Sequence, residues 1–150
     1  MICFKNFVNL SDDEVLAVYR ARTDERVADY CSAGKFSYET HLNFIKYLRS
    51  QNDKKYFMIY DDDKFIGVIN FVNITEKSAE FGIYKNPSVD KVGKILMQEM
   101  INYAKFELNL SQITARVLEQ NKFAIELYKK FGFEIVSEGK IYKMQKDLQC

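Results

Sequence analysis

Between residues 55 and 84 the chain reads KYFMIY, DDDK, FIGVINFV, NITEKS, AEFGIY. Three runs rich in aromatic and β-branched residues alternate with two short polar segments. The runs are too short for ordinary helices and the segments too short for crossovers, so successive runs must pair as antiparallel strands. This meander is the fixed frame on which the rest of the chain is arranged. Ahead of it, MICFKNFV reads as a further strand. Ser11, with Glu14 three residues on, forms a capping-box pattern that opens a helix through Val15, Leu16, Val18 and Tyr19. A charged loop follows. From Tyr38, the positions Leu42, Ile45, Tyr47 and Leu48 then recur at helical spacing up to about Arg49.

After the meander, at KNPSVD, the pattern changes to helix, strand, helix, strand. Val92, Leu96, Met100 and Tyr103 share one stripe, with Ile95 beside it, on a helix expected to reach about Leu108. Residues 112–117 read as a strand, NKFAIELYKKFGFE as a second helix, and EIVSE with IYKMQK as a closing hairpin across Gly139 and Lys140. The expected architecture is mixed α/β: a mostly antiparallel twisted sheet of about seven strands flanked by about four helices. At 150 residues, with no linker, repeat or low-complexity stretch and a single proline at Pro87, residues 1–150 are expected to form one domain.

The charge balance, 22 basic against 21 acidic residues for a net charge of +1, argues against broad binding to nucleic acid or an anionic membrane. Cys3, Cys31 and Cys150 show neither paired spacing nor ligand spacing to His41, the only histidine, so no metal site or disulfide framework is expected. Reduced thiols, no apolar run approaching the ~20 residues that span a bilayer, and acidic residues early in the N-terminus suggest a cytoplasmic protein. It is expected to be a monomer or homodimer.

In α/β folds ligands gather at strand ends beside helix N-termini. That directs attention to GIYKNPSVDKVGKILM, residues 82–97. A helix start leaves about four N–H groups free, and with the helix dipole these favour an anion, phosphate above all. Gly93 allows close approach there, or serves only packing. An extended ligand can also pair with the strand edge through the backbone of Gly82, Ile83, Tyr84 and Lys85. As an ordinary central strand, the same residues would have no such role.

SVDKVG, residues 88–93, resembles the pyrophosphate loop of the GNAT acetyltransferases, with Ser88 at the usual basic position, Lys91 at the first glycine and Gly93 keeping the second. Asn121, Ala124, Tyr128, Gly132 and Phe133 follow that family's later motif in full. Beyond the superfamily, VYRARTDERV, ETHLNFIKYL, KKYFMIY, IGVINFVNIT, FGIYKNP and the closing helix are similar to the acetyltransferases of the pseudaminic-acid pathway. Those enzymes acetylate the 4-amino group of a UDP-linked amino sugar used on bacterial flagellin. The resemblance implies the GNAT fold, acetyl-CoA as cosubstrate with its diphosphate near Lys91, Val92, Gly93 and Lys94, and Asn121 and Tyr128 beside the coenzyme. Lys91 would supply charge in place of the missing loop arginine. Tyr19-Arg20-Ala21 stands where those enzymes carry aromatic-Arg-Asn at the end of the first helix, with Ala21 in place of the Asn, and the resemblance implies that Arg20 and His41 bind the nucleotide.

Asn121 and Tyr128 lie about two helical turns apart and face one cleft. When an amine attacks a thioester, charge builds on the carbonyl oxygen and then on sulfur, and a phenol suits the second centre. Reference pKa values of about 10 for phenol and about 8.5 for a thiol make that transfer uphill by about 1.5 units, roughly 2 kcal/mol. An amino-sugar amine with a pKa of about 8 is already about one-tenth neutral at pH 7, so water can serve as base. Glu80, on the strand before the loop, is the first carboxylate to test and Glu119 the second; either can instead be a solvated residue. Arg116 stands where many superfamily members carry Glu. Arg20 can equally be a solvated helix end and His41 a helix-face residue, Tyr38 and Phe44 are either walls for base or sugar or core residues, and Arg22 and Arg26 read as surface charges. Three functions follow: sugar acetylation, acetylation of a protein N-terminus of the ribosomal-protein type, or acyl-CoA binding without catalysis.

Overall fold

The computed structural model describes residues 1–148; Cys150 lies outside them. The strands are β1 (Ile2–Asn6), β2 (Lys55–Asp61), β3 (Lys64–Val72), β4 (Ser78–Lys85), β5 (Gln112–Leu118), β6 (Glu134–Ser137) and β7 (Ile141–Asp147). The α-helices are α1 (Asp12–Thr23), α2 (Glu25–Ala28), α3 (Tyr38–Leu48), α4 (Gly93–Asn102) and α5 (Lys122–Lys130). The strands form one sheet in the order β1-β2-β3-β4-β5-β7-β6. The meander is present as expected, and among the described residues β4 with β5 is the single parallel pair. A parallel pair needs a crossover, which α4 provides. Among the described residues no helix is long and apolar enough to cross a membrane.

The capping box at Ser11 is formed: the Glu14 amide donates to Ser11 Oγ at 3.3 Å and the Ser11 amide to Glu14 Oε1 at 3.0 Å. α2 falls in the stretch expected as a charged loop. It is a single turn started by Asp24, whose carboxylate accepts from the Arg26 amide at 2.9 Å, and so short a helix carries no periodicity to read. The helix expected to reach Leu108 keeps α-helical form only to Asn102; a π-helical turn covers Tyr103–Glu107. There the Tyr103 ring sits in a socket of Phe4, Phe57 and Phe71, at 5.0, 4.9 and 5.6 Å between centroids.

Strand alternation divides the interior in two. Phe57, Ile59, Ile69, Phe71 and Phe81 face Leu96, Met97 and Met100 of α4 and Ile125 of α5. Met58 and Val68 face Val15 and Val18 of α1 and Ile45 and Leu48 of α3. Cross-strand register carries this second face onto β4: Val68 pairs with Tyr84, Asn70 with Gly82 and Val72 with Glu80. Glu80, Gly82 and Tyr84 therefore point toward α1 and α3, while Phe81 and Ile83 point toward α4 and α5.

Candidate active site

β4 and β5 pair only at Ser78–Gln112, Ala79–Ile113 and Glu80–Thr114. Both strands continue, to Lys85 and Leu118, with no further pairing between them. The sheet opens there, and a cavity of about 480 Å³ occupies the opening. Backbone N–H and C=O groups must find partners, and the free stretch of β4 offers them to an extended ligand. Gly82, Ile83 and Tyr84 line this cavity; Lys85 does not.

Tyr128 and Asn121 both line the cavity. The Tyr128 ring is 9% exposed, edge-on to Phe81 at 5.2 Å and 5.9 Å from Phe133. Its hydroxyl has no hydrogen-bond partner among the described residues, and it is not sealed from solvent as the unpartnered His41 Nε2 is. The hydroxyl therefore looks into the opening, which explains a phenol where leucine would fill the core equally well. Burial pushes the Tyr128 phenol up to about 12, helped by the nearby Cys31 thiol, so it stays protonated at neutral pH. The gap to a free thiol widens from about 1.5 to about 3.5 units, roughly 5 kcal/mol. A thiolate in the same cleft is raised by the same loss of water, which narrows the gap again. Asn121 caps α5 by accepting the Ala124 amide at 3.2 Å through Oδ1, which leaves its amide N–H groups for a ligand.

Val92 stands at the N-cap of α4 and offers no side-chain cap, so the first-turn N–H groups remain available. Lys91 holds φ +61°, the left-handed conformation that a glycine adopts without cost. Lys85 staples the loop from within: its Nζ donates to the carbonyls of Val89 at 2.7 Å and Pro87 at 3.4 Å. Arg26 reaches the same Pro87 carbonyl at 3.3 Å and pairs with Asp24 at 2.8 Å, so it ties α2 to the loop. Lys91 and Lys94 are exposed and Val92 is buried. Gly93 also serves packing, because a Cβ there would meet Leu127 Cδ2 at 3.3 Å.

On the opposite side, the roof of the cavity departs from expectation. Arg20 is exposed and lies outside the cavity; Arg22 lines it. The signal was present in the helix: Val15 and Val18 are buried, and Arg22 continues that stripe at helical spacing while Arg20 faces away. Arg22 Nη1 donates to the Gly34 carbonyl at 2.8 Å, its guanidinium sits 5.0 Å above the Phe36 ring, and among the described residues no carboxylate pairs with it. His41 is 3% exposed, with a ring N–H directed at the Val15 carbonyl and Nε2 unpartnered. Burial pushes its pKa down and the Arg22 charge adds to that, so it is neutral at pH 7 and its free nitrogen is an acceptor. Tyr38 stays outside the cavity, packed on Tyr19 and His41 at 5.2 and 6.3 Å. Phe44 lines it.

Glu80 and Arg116 line the cavity from β4 and β5, with no ion pair between them, and Glu119 does not reach it. Sequence reasoning missed Tyr56 and Asn70, which lie on β2 and β3 in register with Gly82 and could have been found by counting pairs across the meander. It also missed Cys31, whose Sγ lies 3.4 Å from the Val27 carbonyl and whose thiol burial pushes up.

An opened sheet beside an uncapped helix start, with a free phenol over the opening, is the architecture of an acyl-CoA transferase. Residues 9–133 match the acetyltransferase (GNAT) family, and the chain belongs to it. Acetyltransferase PseH of Campylobacter jejuni strain 81-176 is 39% identical over 140 residues, covering 93% of this chain and 89% of that protein. The crystal structure of Campylobacter jejuni N-acetyltransferase PseH in complex with acetyl coenzyme A is 37% identical with a TM-score of 0.86, covering 99% of this chain and 100% of that one. Spermidine N-acetyltransferase of Vibrio cholerae shares the fold at 18% identity and a TM-score of 0.85 over 98% of this chain and 95% of its own. The protein is an acetyl-CoA-dependent N-acetyltransferase, which retires the non-catalytic alternative.

Proposed function

We propose that the protein acetylates the 4-amino group of a UDP-linked amino-dideoxy sugar, of the 4-amino-4,6-dideoxy-N-acetyl-altrosamine type, in the cytoplasm. This is the step of pseudaminic-acid biosynthesis that serves flagellin glycosylation. One observation carries the reading: the acceptor side of the cavity combines an unpaired guanidinium, Arg22, with the aromatic walls Phe36, Phe44, Tyr56 and Tyr84. A fork of N–H donors suits a diphosphate and flat rings suit a base or sugar. A site for a protein N-terminus would carry several carboxylates, and Glu80 is the only one lining this cavity among the described residues.

Bound acetyl-CoA supplies the acetyl group as an activated thioester. The residues that would hold it are the β4 backbone at Gly82 to Tyr84, the first turn of α4, and the Asn121 amide. Tyr128 donates a hydrogen bond to sulfur as negative charge gathers there, and Glu80 accepts the amine proton directly or through water. Exchanging Glu80 for glutamine is expected to lower kcat/KM at pH 7 by about 100-fold, with the deficit shrinking above about pH 8 where the amine is already neutral. A pH-independent or absent deficit assigns the proton to water alone.

Lys91 adds a cation beside the diphosphate. Lys91→Ala should raise the KM for acetyl-CoA about fivefold, a rim-charge effect that fades at high salt. Lys91→Gly should raise KM likewise while gaining about 1 kcal/mol of stability from relief of the left-handed backbone. An unchanged KM in both variants removes the lysine from the coenzyme site. Free thiol released on mixing enzyme, acetyl-CoA and the UDP-linked 4-amino sugar tests the function itself; release that depends instead on an N-terminal peptide supports the second reading.

A further inference from the structure

We propose that the Asn70 carboxamide orients the attacking amine, accepting one N–H at Oδ1 so that the nitrogen lone pair faces the acetyl carbonyl. This rests on the acetyltransferase reaction of the family and not on the identity of the sugar. Tyr56, Asn70 and Gly82 form one row across β2, β3 and β4. All three line the cavity. The Asn70 side chain lies directly across Gly82: a Cβ at residue 82 would fall 2.5 Å from Oδ1 and 3.2 Å from Nδ2. The bare glycine thus gives the carboxamide its seat on β4, just past Glu80, where pairing with β5 stops.

A half-buried carboxamide ordinarily spends its donors and acceptors on neighbours. Among the described residues the Asn70 carboxamide has no hydrogen-bond partner, and neither of its polar atoms is sealed from solvent. Its hydrogen-bonding capacity is free at the point where the acceptor meets the thioester. A neutral primary amine brings two N–H donors and one lone pair, and that pair must remain free to attack. Of the two ends of the carboxamide, Nδ2 would hold the lone pair and stop the reaction, whereas Oδ1 binds an N–H and turns the pair away from itself, toward the carbonyl, so Oδ1 is the end that serves attack. As the N–C bond forms and the C–S bond breaks, Asn70 neither gains nor loses a proton.

The test uses Asn70→Ala and Asn70→Asp in the full chain, with acetyl-CoA and the UDP-linked 4-amino sugar. Spermidine and an N-terminal peptide serve as acceptors should the wild-type enzyme leave the sugar unacetylated, an outcome that sinks the sugar reading alone. Asn70→Ala should lose about 10- to 100-fold in kcat/KM for whichever amine the wild type acetylates. Its KM for acetyl-CoA and its thermal midpoint should stay at wild-type values. Asn70→Asp, which keeps an acceptor oxygen, should recover most of the loss. Wild-type kcat/KM in Asn70→Ala, a loss shared by acetyl-CoA binding or by the thermal midpoint, or an aspartate variant no better than alanine would each overturn the proposal.

Discussion

Replacing Tyr128 with phenylalanine is expected to cut kcat for acetyl transfer by about 100-fold while leaving the KM for acetyl-CoA within about threefold. The split follows from where the hydroxyl stands. The ring holds Phe81 and Phe133 at 5.2 and 5.9 Å, contacts that phenylalanine keeps, so the core should be unchanged. The hydroxyl is bonded to nothing among the described residues, so its loss breaks no structural hydrogen bond and the thermal midpoint should hold or rise. What disappears is a protonated donor aimed at the leaving sulfur, whose negative charge exists only as the C–S bond breaks. A variant with full turnover, measured by thiol release at saturating acceptor, would show that water or another group protonates the sulfur. A variant with reduced stability would show that the hydroxyl was a core group after all.

The second large effect separates two arginines only two positions apart. Arg22→Ala should raise the KM for the acceptor by about 10- to 100-fold, the loss of a charge-assisted contact worth about 1.5–3 kcal/mol, whereas Arg20→Ala should change it less than twofold. Arg22→Lys should recover little, because a lysine cannot reproduce the fork that also grips the Gly34 carbonyl and lies over Phe36. The loss should shrink with rising salt less than that of an exposed pair, since the guanidinium works inside the cavity. Equal effects at Arg20 and Arg22 would mean that the acceptor crosses the outer face of α1.

These two residues mark the border of what the sequence makes legible. Tyr128 and Asn121 stand in a spacing that only one helix face satisfies, so their shared wall follows from periodicity alone. The meander was equally readable, because short apolar runs between short turns leave a single way to pair. Arg22 needed one more step: the buried stripe Val15, Val18 and Ala21 fixes which side of α1 faces in, and matching a three-residue motif at Arg20 overrode that count. α2 and the loop carrying Cys31 and Phe36 have no period, so their approach to the cleft depends on tertiary contacts such as Gln120 Nε2 to the Asp29 carbonyl at 3.4 Å. The opening between β4 and β5 is likewise absent from any local pattern; it arises where two strands of ordinary composition stop pairing. The pKa of Tyr128 belongs to the same class, since reference chemistry supplies about 10 and only the packed core raises it to about 12.

A crystal structure of this protein with acetyl-CoA tests the central claim most directly, that the thioester lies in the gap between β4 and β5 with its sulfur beneath Tyr128. The expected result is a sulfur within about 3.5 Å of the Tyr128 hydroxyl, the diphosphate against the first turn of α4, and the pantetheine amides bonded to the β4 backbone. A coenzyme bound with its sulfur away from Tyr128, or a phenol turned into the core on binding, would contradict it.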